Sequence, residues 1–106
     1  MTMEDDVFRA LADPSRRAIF EQLTEAKELA VKDLTARFDI SQPAVSQHLE
    51  KLRLAGLVQE RRDGRLTFYR VNPKGLKPLV NWIGHYQAFW LSRYSKLKAL
   101  LQEMDE

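Results

Sequence analysis

The apolar positions of this 106-residue chain keep a helical rhythm up to residue 54, turn into strand-like runs between 57 and 71, and then become helical again. Val7, Phe8 and Leu11 form a first short stripe. Asp13-Pro14 supplies an N-cap followed by proline at the first helical position, and Ala18, Ile19 and Leu23 carry a second helix ending near Glu25. Ala26-Lys27-Glu28 reads as a connector. Val31, Leu34 and Phe38 mark a third, short helix. Asp39 suits the turn after it, because Asp tolerates a left-handed backbone, and Ile40 is expected to plug the core.

Residues 41–58 are the most informative stretch. Ser41 suits an N-cap, Pro43 falls in the first turn, where its missing N–H is harmless, and Gly56 can take the left-handed conformation that ends a helix. These signals predict a helix over about 41–55. Its apolar back is Val45, Leu49 and Leu52; its front carries Gln42, Ser46, Gln47, Glu50 and Arg53. After Gly56, Leu57–Arg62 and Leu66–Val71 flank Asp63-Gly64, which is a hairpin signal over about 57–71.

Asn72-Pro73 is expected to cap a last helix running from about Pro73 to Met104, with an irregular start because Pro78 falls in its first turns. Leu76, Leu79, Val80, Ile83, Tyr86, Trp90, Leu97, Leu101 and Met104 stripe it. Such a helix would be roughly 45 Å long at 1.5 Å per residue. The body of a small domain cannot cover all of it, so the aromatic stripe reads as a partner surface, most simply a second copy.

This length supports one domain over 1–106 with a modest core. No run of roughly 18 apolar residues suggests a membrane span. The early acids Glu4, Asp5 and Asp6 do not fit a signal peptide. The absence of cysteine rules out disulfides and thiolate metal sites. A cytoplasmic protein is the default. The net charge of +2 informs less than its distribution: residues 1–40 carry −3, residues 41–72 carry +3 and residues 73–106 carry +2. The basic excess starts where the 41–55 helix starts.

An anchored apolar back and an amide-rich front are what a DNA recognition helix needs, since Gln and Ser are short-reach readers of base edges. Gln42, Ser46 and Gln47 are the candidate base readers, with Pro43 and Ala44 placed for thymine methyls. Ser41 and Lys51 are candidate phosphate contacts, Ser41 with the helix N-terminus behind it. Arg62 and Arg65 at the hairpin tip are candidate contacts to phosphate or minor groove, while Arg61 projects from the other face. Tyr69 is expected to pack the hairpin onto the helix, and Arg16 and Arg17 to form surface ion pairs. His48 reads as a packing residue next to the DNA face.

Helices, recognition helix, hairpin wing and long helix in this order define a mainly α winged helix-turn-helix with a small β-hairpin and a long C-terminal dimerisation helix. The sequence resembles the ArsR-type family of bacterial repressors. The matching pieces are Phe8-Arg9-Ala10-Leu11-Ala12-Asp13-Pro14-Ser15-Arg16-Arg17, then Ser41 through Val58, then Asp63-Gly64-Arg65 leading to Tyr69-Arg70-Val71. The resemblance implies a homodimeric repressor on double-stranded DNA with a near-palindromic operator. It also implies a dimer interface from the first and last helices, here Val7, Phe8, Leu11, Leu79, Ile83, Tyr86, Trp90 and Leu97.

Metal-sensing members of that family carry Glu-Leu-Cys-Val-Cys-Asp-Leu at the third helix. This chain reads Glu28-Leu29-Ala30-Val31-Lys32-Asp33-Leu34, so both thiolate positions are replaced. Other members hold zinc between their last helices with His and acidic residues. Here that region offers His85 with no acid within a turn, and the only other histidine is His48. No metal and no cofactor is expected. The segment Trp82 to Trp90 is like that of a metal-free branch of the family.

No nucleophile–base set, phosphate loop or metal cluster points to an enzyme, so no catalytic residue is assigned. Two alternatives stay open. One is a winged helix that binds protein, which would show apolar anchors on the helix front. The other is a repressor released by an unknown small molecule in a pocket among Trp82, Tyr86, Phe89 and Trp90 at the dimer interface.

Overall fold

The computed structural model describes residues 3–105. The chain runs α1 (Met3–Ala12), α2 (Pro14–Ala26), β1 (Glu28–Ala30), α3 (Val31–Thr35), α4 (Gln42–Leu54), β2 (Val58–Asp63), β3 (Leu66–Val71), a 3-10 turn (Pro73–Leu76), α5 (Lys77–His85) and α6 (Gln87–Asp105). Asp13 caps α2 as its position predicts, its Oδ1 accepting from the Ser15 and Arg16 backbone amides at 2.8 and 3.1 Å. Those bonds, with the Arg16 amide first, hold its carboxyl below the usual range.

Of Arg16 and Arg17, Arg16 alone forms an ion pair among the described residues, and both arginines close the end of α1. Arg16 Nε donates to the Ala10 carbonyl at 2.8 Å, and an Arg17 guanidinium nitrogen donates to the Leu11 and Ala12 carbonyls at 2.7 and 3.1 Å. They satisfy the open end of α1, which the four carbonyls at any helix C-terminus require. Arg16 also lies 3.9 Å from Asp13, the one ion pair the expectation supplied.

The connector after α2 contains a strand that periodicity does not reveal. Lys27 turns the chain sharply at φ 70 and ψ −56, and Glu28–Ala30 then pair antiparallel with β3. The hairpin is therefore part of a three-stranded sheet in the order β1-β3-β2, with β3 central. Gln59 faces Arg70, Glu60 faces Tyr69 and Asp63 faces Leu66, so Gly64 and Arg65 form a two-residue turn; Gly64 takes φ +61.

The core is one cluster. Val7 and Ala10 of α1, Ile19, Phe20 and Leu23 of α2, and Leu34 of α3 meet Val45, Leu49 and Leu52 of α4, with Leu57, Val58 and Tyr69 from the sheet side. Ile40 does not plug this core; it is 36 % exposed in the turn before α4. α4 ends in a Schellman motif: Leu57 N–H bonds the Leu52 carbonyl, Gly56 N–H bonds the Arg53 carbonyl, and Gly56 takes φ +81. The buried side chains of Leu52 and Leu57 accompany it, as that motif favours.

The last segment differs from one continuous helix over about 73–104. It opens with the 3-10 turn, and it breaks at Tyr86, which leaves helical geometry at φ −110 and ψ 9. Pro78 lies in the first turn of α5, where it blocks no needed N–H. Asn72 does not cap the turn with its side chain. Its Nδ2 donates instead to the Gly56 carbonyl at 2.9 Å, while its backbone N–H bonds the Leu57 carbonyl. Leu76 and Leu79 pack against the core, Phe8 and Trp82 meet edge to face at 5.5 Å, and beyond this foot α5 and α6 are exposed. The molecule is correspondingly long, with extents of 60 × 33 × 20 Å.

Candidate nucleic-acid interface

α4 is fixed from behind. Val45, Leu49 and Leu52 are completely buried, which sets the rotation of the helix and turns its polar side outward. Ser41 caps its start, Oγ accepting from the Ala44 N–H at 3.3 Å, and remains exposed. Gln42, Pro43, Ser46 and Gln47 are exposed, and Ala44 is half-buried. The side chains of Gln42, Ser46 and Gln47 have no hydrogen-bond partner among the described residues. A fixed helix with unspent amide and hydroxyl groups at its N-terminal half has the geometry to enter a major groove.

The two flanks of α4 differ. Glu50 and Arg53 form a two-pronged pair, Arg53 Nε to Glu50 Oε2 at 2.9 Å, on the flank near the sheet. The guanidinium holds the Glu50 carboxyl below its usual range, and Glu50 raises Arg53 in turn. On β2 and β3 the Tyr69 hydroxyl donates to Glu60 at 3.0 Å; burial first and this carboxylate second push Tyr69 up to about 12. Tyr69 is buried in the cluster that holds Val45, Leu49 and Leu52, so it packs the hairpin onto α4, as expected. Lys51 stands on the other flank, beside α1, lining a cavity with Arg9 and Arg16 rather than joining the hairpin arginines.

The wing divides its arginines. Arg61 is engaged three ways: a bidentate pair with Glu28 (2.6 and 3.5 Å), Asp63 at 3.7 Å and the Phe68 ring at 4.6 Å. The Arg61 hydrogen bond holds the Glu28 carboxyl below its usual range. Arg62 and Arg65 are exposed and have no partner among the described residues. Arg61 is therefore a staple between β1 and the wing, and Arg62 and Arg65 are the available cations. The sequence could have signalled this pair only through knowledge that Glu28 sits in a strand.

The residues named for a dimer face fall into two groups. Val7 is 1 % exposed and buried within its own chain, so it cannot serve a partner; its neighbour Phe8 is half-buried, edge to face with Trp82. Leu11 and Leu79 are half-buried against the core. Ile83, Tyr86, Trp90 and Leu97 lie open on α5 and α6, with Phe89, Tyr94, Leu100 and Leu101 also exposed nearby.

A helix-turn-helix whose reading helix is followed by a small sheet is the winged class of DNA-binding regulator. The family model for a helix-turn-helix domain matches residues 11–61. The transcriptional repressor SdpR of Bacillus subtilis is 33 % identical over 79 residues, 74 % of this chain and 87 % of that protein. The HTH-type transcriptional regulator Rv2034 of Mycobacterium tuberculosis is 40 % identical over 88 % of this chain and 86 % of its own length. The crystal structure of the ArsR family transcriptional regulator RHA00566 superimposes with a TM-score of 0.74 at 27 % identity, covering 85 % of this chain and 92 % of that one. The chain belongs to the ArsR-type family of winged helix-turn-helix repressors: it is a DNA-binding transcription regulator, not an enzyme.

Proposed function

We propose that this repressor acts as a symmetric homodimer on a near-palindromic operator in the cytoplasm, bound to the chromosome, the whole chain serving as one winged-helix unit. Each α4 enters a major groove, where Gln42, Ser46 and Gln47 read base edges and Pro43 and Ala44 lie against thymine methyls. Ser41 meets a phosphate at the helix start, and Arg62 and Arg65 reach the backbone beside it. Lys51, exposed one turn after Gln47 on the flank beside α1, meets a phosphate on that side. Phe8, Ile83, Tyr86, Trp90 and Leu97 form the seam between subunits, with Leu11 and Leu79 at its edge. Response to a metal through a cysteine pair is not part of this reading, because Ala30 and Lys32 stand at those positions.

The observation that carries the reading is the row of unspent polar side chains on the N-terminal half of a helix whose Val45, Leu49 and Leu52 are wholly buried. The polar front also favours DNA over a protein partner. Fluorescence anisotropy on the DNA upstream of its own gene and on a scrambled duplex, across a salt series, tests it. Much tighter binding to the upstream DNA at physiological salt, two chains per site, is expected. Weak and equal binding to both that vanishes with salt would show that this DNA is not the operator. A genome-wide selection that also found no preferred site would overturn the reading.

A further inference from the structure

Between α1, α2 and the last turn of α4 lies a cavity of about 320 Å³ whose apolar floor the DNA-binding role does not use. It exists because small side chains face each other there: Ala10 on α1 and Ala55 after α4, with Leu54 beside them and 70 % exposed. Asp6, Arg9 and Lys51 stand around this apolar floor, and none of the three side chains has a partner among the described residues. Arg16 also reaches the wall, but its nitrogens are taken by the Ala10 carbonyl and Asp13.

We propose that this cavity binds a small organic monoanion, a carboxylate carried on an apolar body. The floor supplies the apolar contact and Arg9 and Lys51 supply charge-assisted hydrogen bonds to the carboxylate. Asp6 leaves an excess of one positive charge, which suits a monoanion and disfavours a phosphate-like dianion. The cup formed by Trp82, Tyr86, Phe89 and Trp90, about 290 Å³, is a weaker site for an effector. It offers no polar group to orient a ligand, and it lies on the face given above to the second copy. A ligand in the α1–α4 cavity instead touches the base of the reading helix, so its occupancy biases how α4 is presented to DNA.

Octanoate is the probe, with octanol as its uncharged counterpart, followed by amide chemical shifts of the isotopically labelled protein without DNA. Octanoate should saturably shift Ala10, Leu54 and Ala55, and octanol should not. Arg9→Gln together with Lys51→Gln should weaken octanoate by about tenfold or more, the loss expected for charged hydrogen bonds. Equal responses to acid and alcohol, shifts centred on Trp82 to Trp90, or no shift would overturn the site. This arm stands whatever the operator proves to be. Operator affinity that stays constant as octanoate fills the cavity would overturn its coupling to α4.

Discussion

α4 and α6 both carry apolar residues at helical spacing, and those residues meet opposite fates. In α4, Val45, Leu49 and Leu52 are entirely removed from water by the chain's own helices and sheet. In α6, Trp90, Leu97 and Leu101 recur along one side at helical spacing and remain 52–54 % exposed. The first stripe specifies the subunit; the second has nothing in the subunit to specify. An apolar stripe without a cover within its chain is what a second copy would cover in the proposed dimer.

Charging the open stripe should disturb the molecule most. Leu97→Glu with Leu101→Glu should leave the thermal midpoint of the body nearly unchanged, yield monomers in sedimentation, and lower operator affinity by about 100-fold or more as two linked half-sites become independent. A retained dimer would locate the seam elsewhere. The mirror experiment strikes the covered stripe. Leu49→Ala should cost about 2–5 kcal/mol in urea unfolding, the usual penalty for emptying a filled core position.

Smaller changes sharpen the front of α4 against the wing. Gln47→Ala should cost about 1–3 kcal/mol on the operator and little on a scrambled duplex. Equal losses on both would remove Gln47 from base reading. Glu28→Gln removes one negative charge beside the wing while Asp63 and the Phe68 ring still hold Arg61, so affinity for every duplex should rise modestly and the dependence of log affinity on log salt should steepen slightly. Arg65→Ala should move both quantities the other way.

The smallest effect is in acid. Asp13 has a folded-state pKa below its unfolded value, so it stabilises the fold above about pH 4 and that stabilisation is lost as pH falls through the folded value. Asp13→Asn keeps a cap without a titrating group and should flatten the acid limb of the stability curve, read by circular dichroism.

Most of the elements were legible because they are local. Ser41, Pro43 and Gly56 bracket α4, and Asp13-Pro14 opens α2, through backbone chemistry that acts within a few residues. The turn between β2 and β3 follows from Gly64 for the same reason. What stayed hidden was set by distant partners. A three-residue strand at Glu28–Ala30 is too short for a period and exists because β3 has a free edge. Arg16 and Arg17 look like any exposed arginines until α1 brings its carbonyl ends within reach. Val7 and Phe8 are neighbouring apolar residues, and only packing decides that one is core and the other half-open against Trp82. The candidate readers were legible since a polar front on an apolar-backed helix is itself a pattern; the division of labour among Arg61, Arg62 and Arg65 was not, since it depends on Glu28 lying across the sheet.

Gly75 rests directly on the Gly56 carbonyl, where a methyl group would collide, and Asn72 is bonded to Gly56 and Leu57 on either side of that contact. The root of α5 is thereby bolted to the tail of α4. In a dimer joined through α5 and α6 the assembly behaves as a pair of calipers: the seam is the pivot, the bolted joints are the stiff arms, and the two reading helices are the tips. A few degrees of change at the pivot becomes a change in the gap between the tips, which is the distance that two successive turns of DNA would gauge.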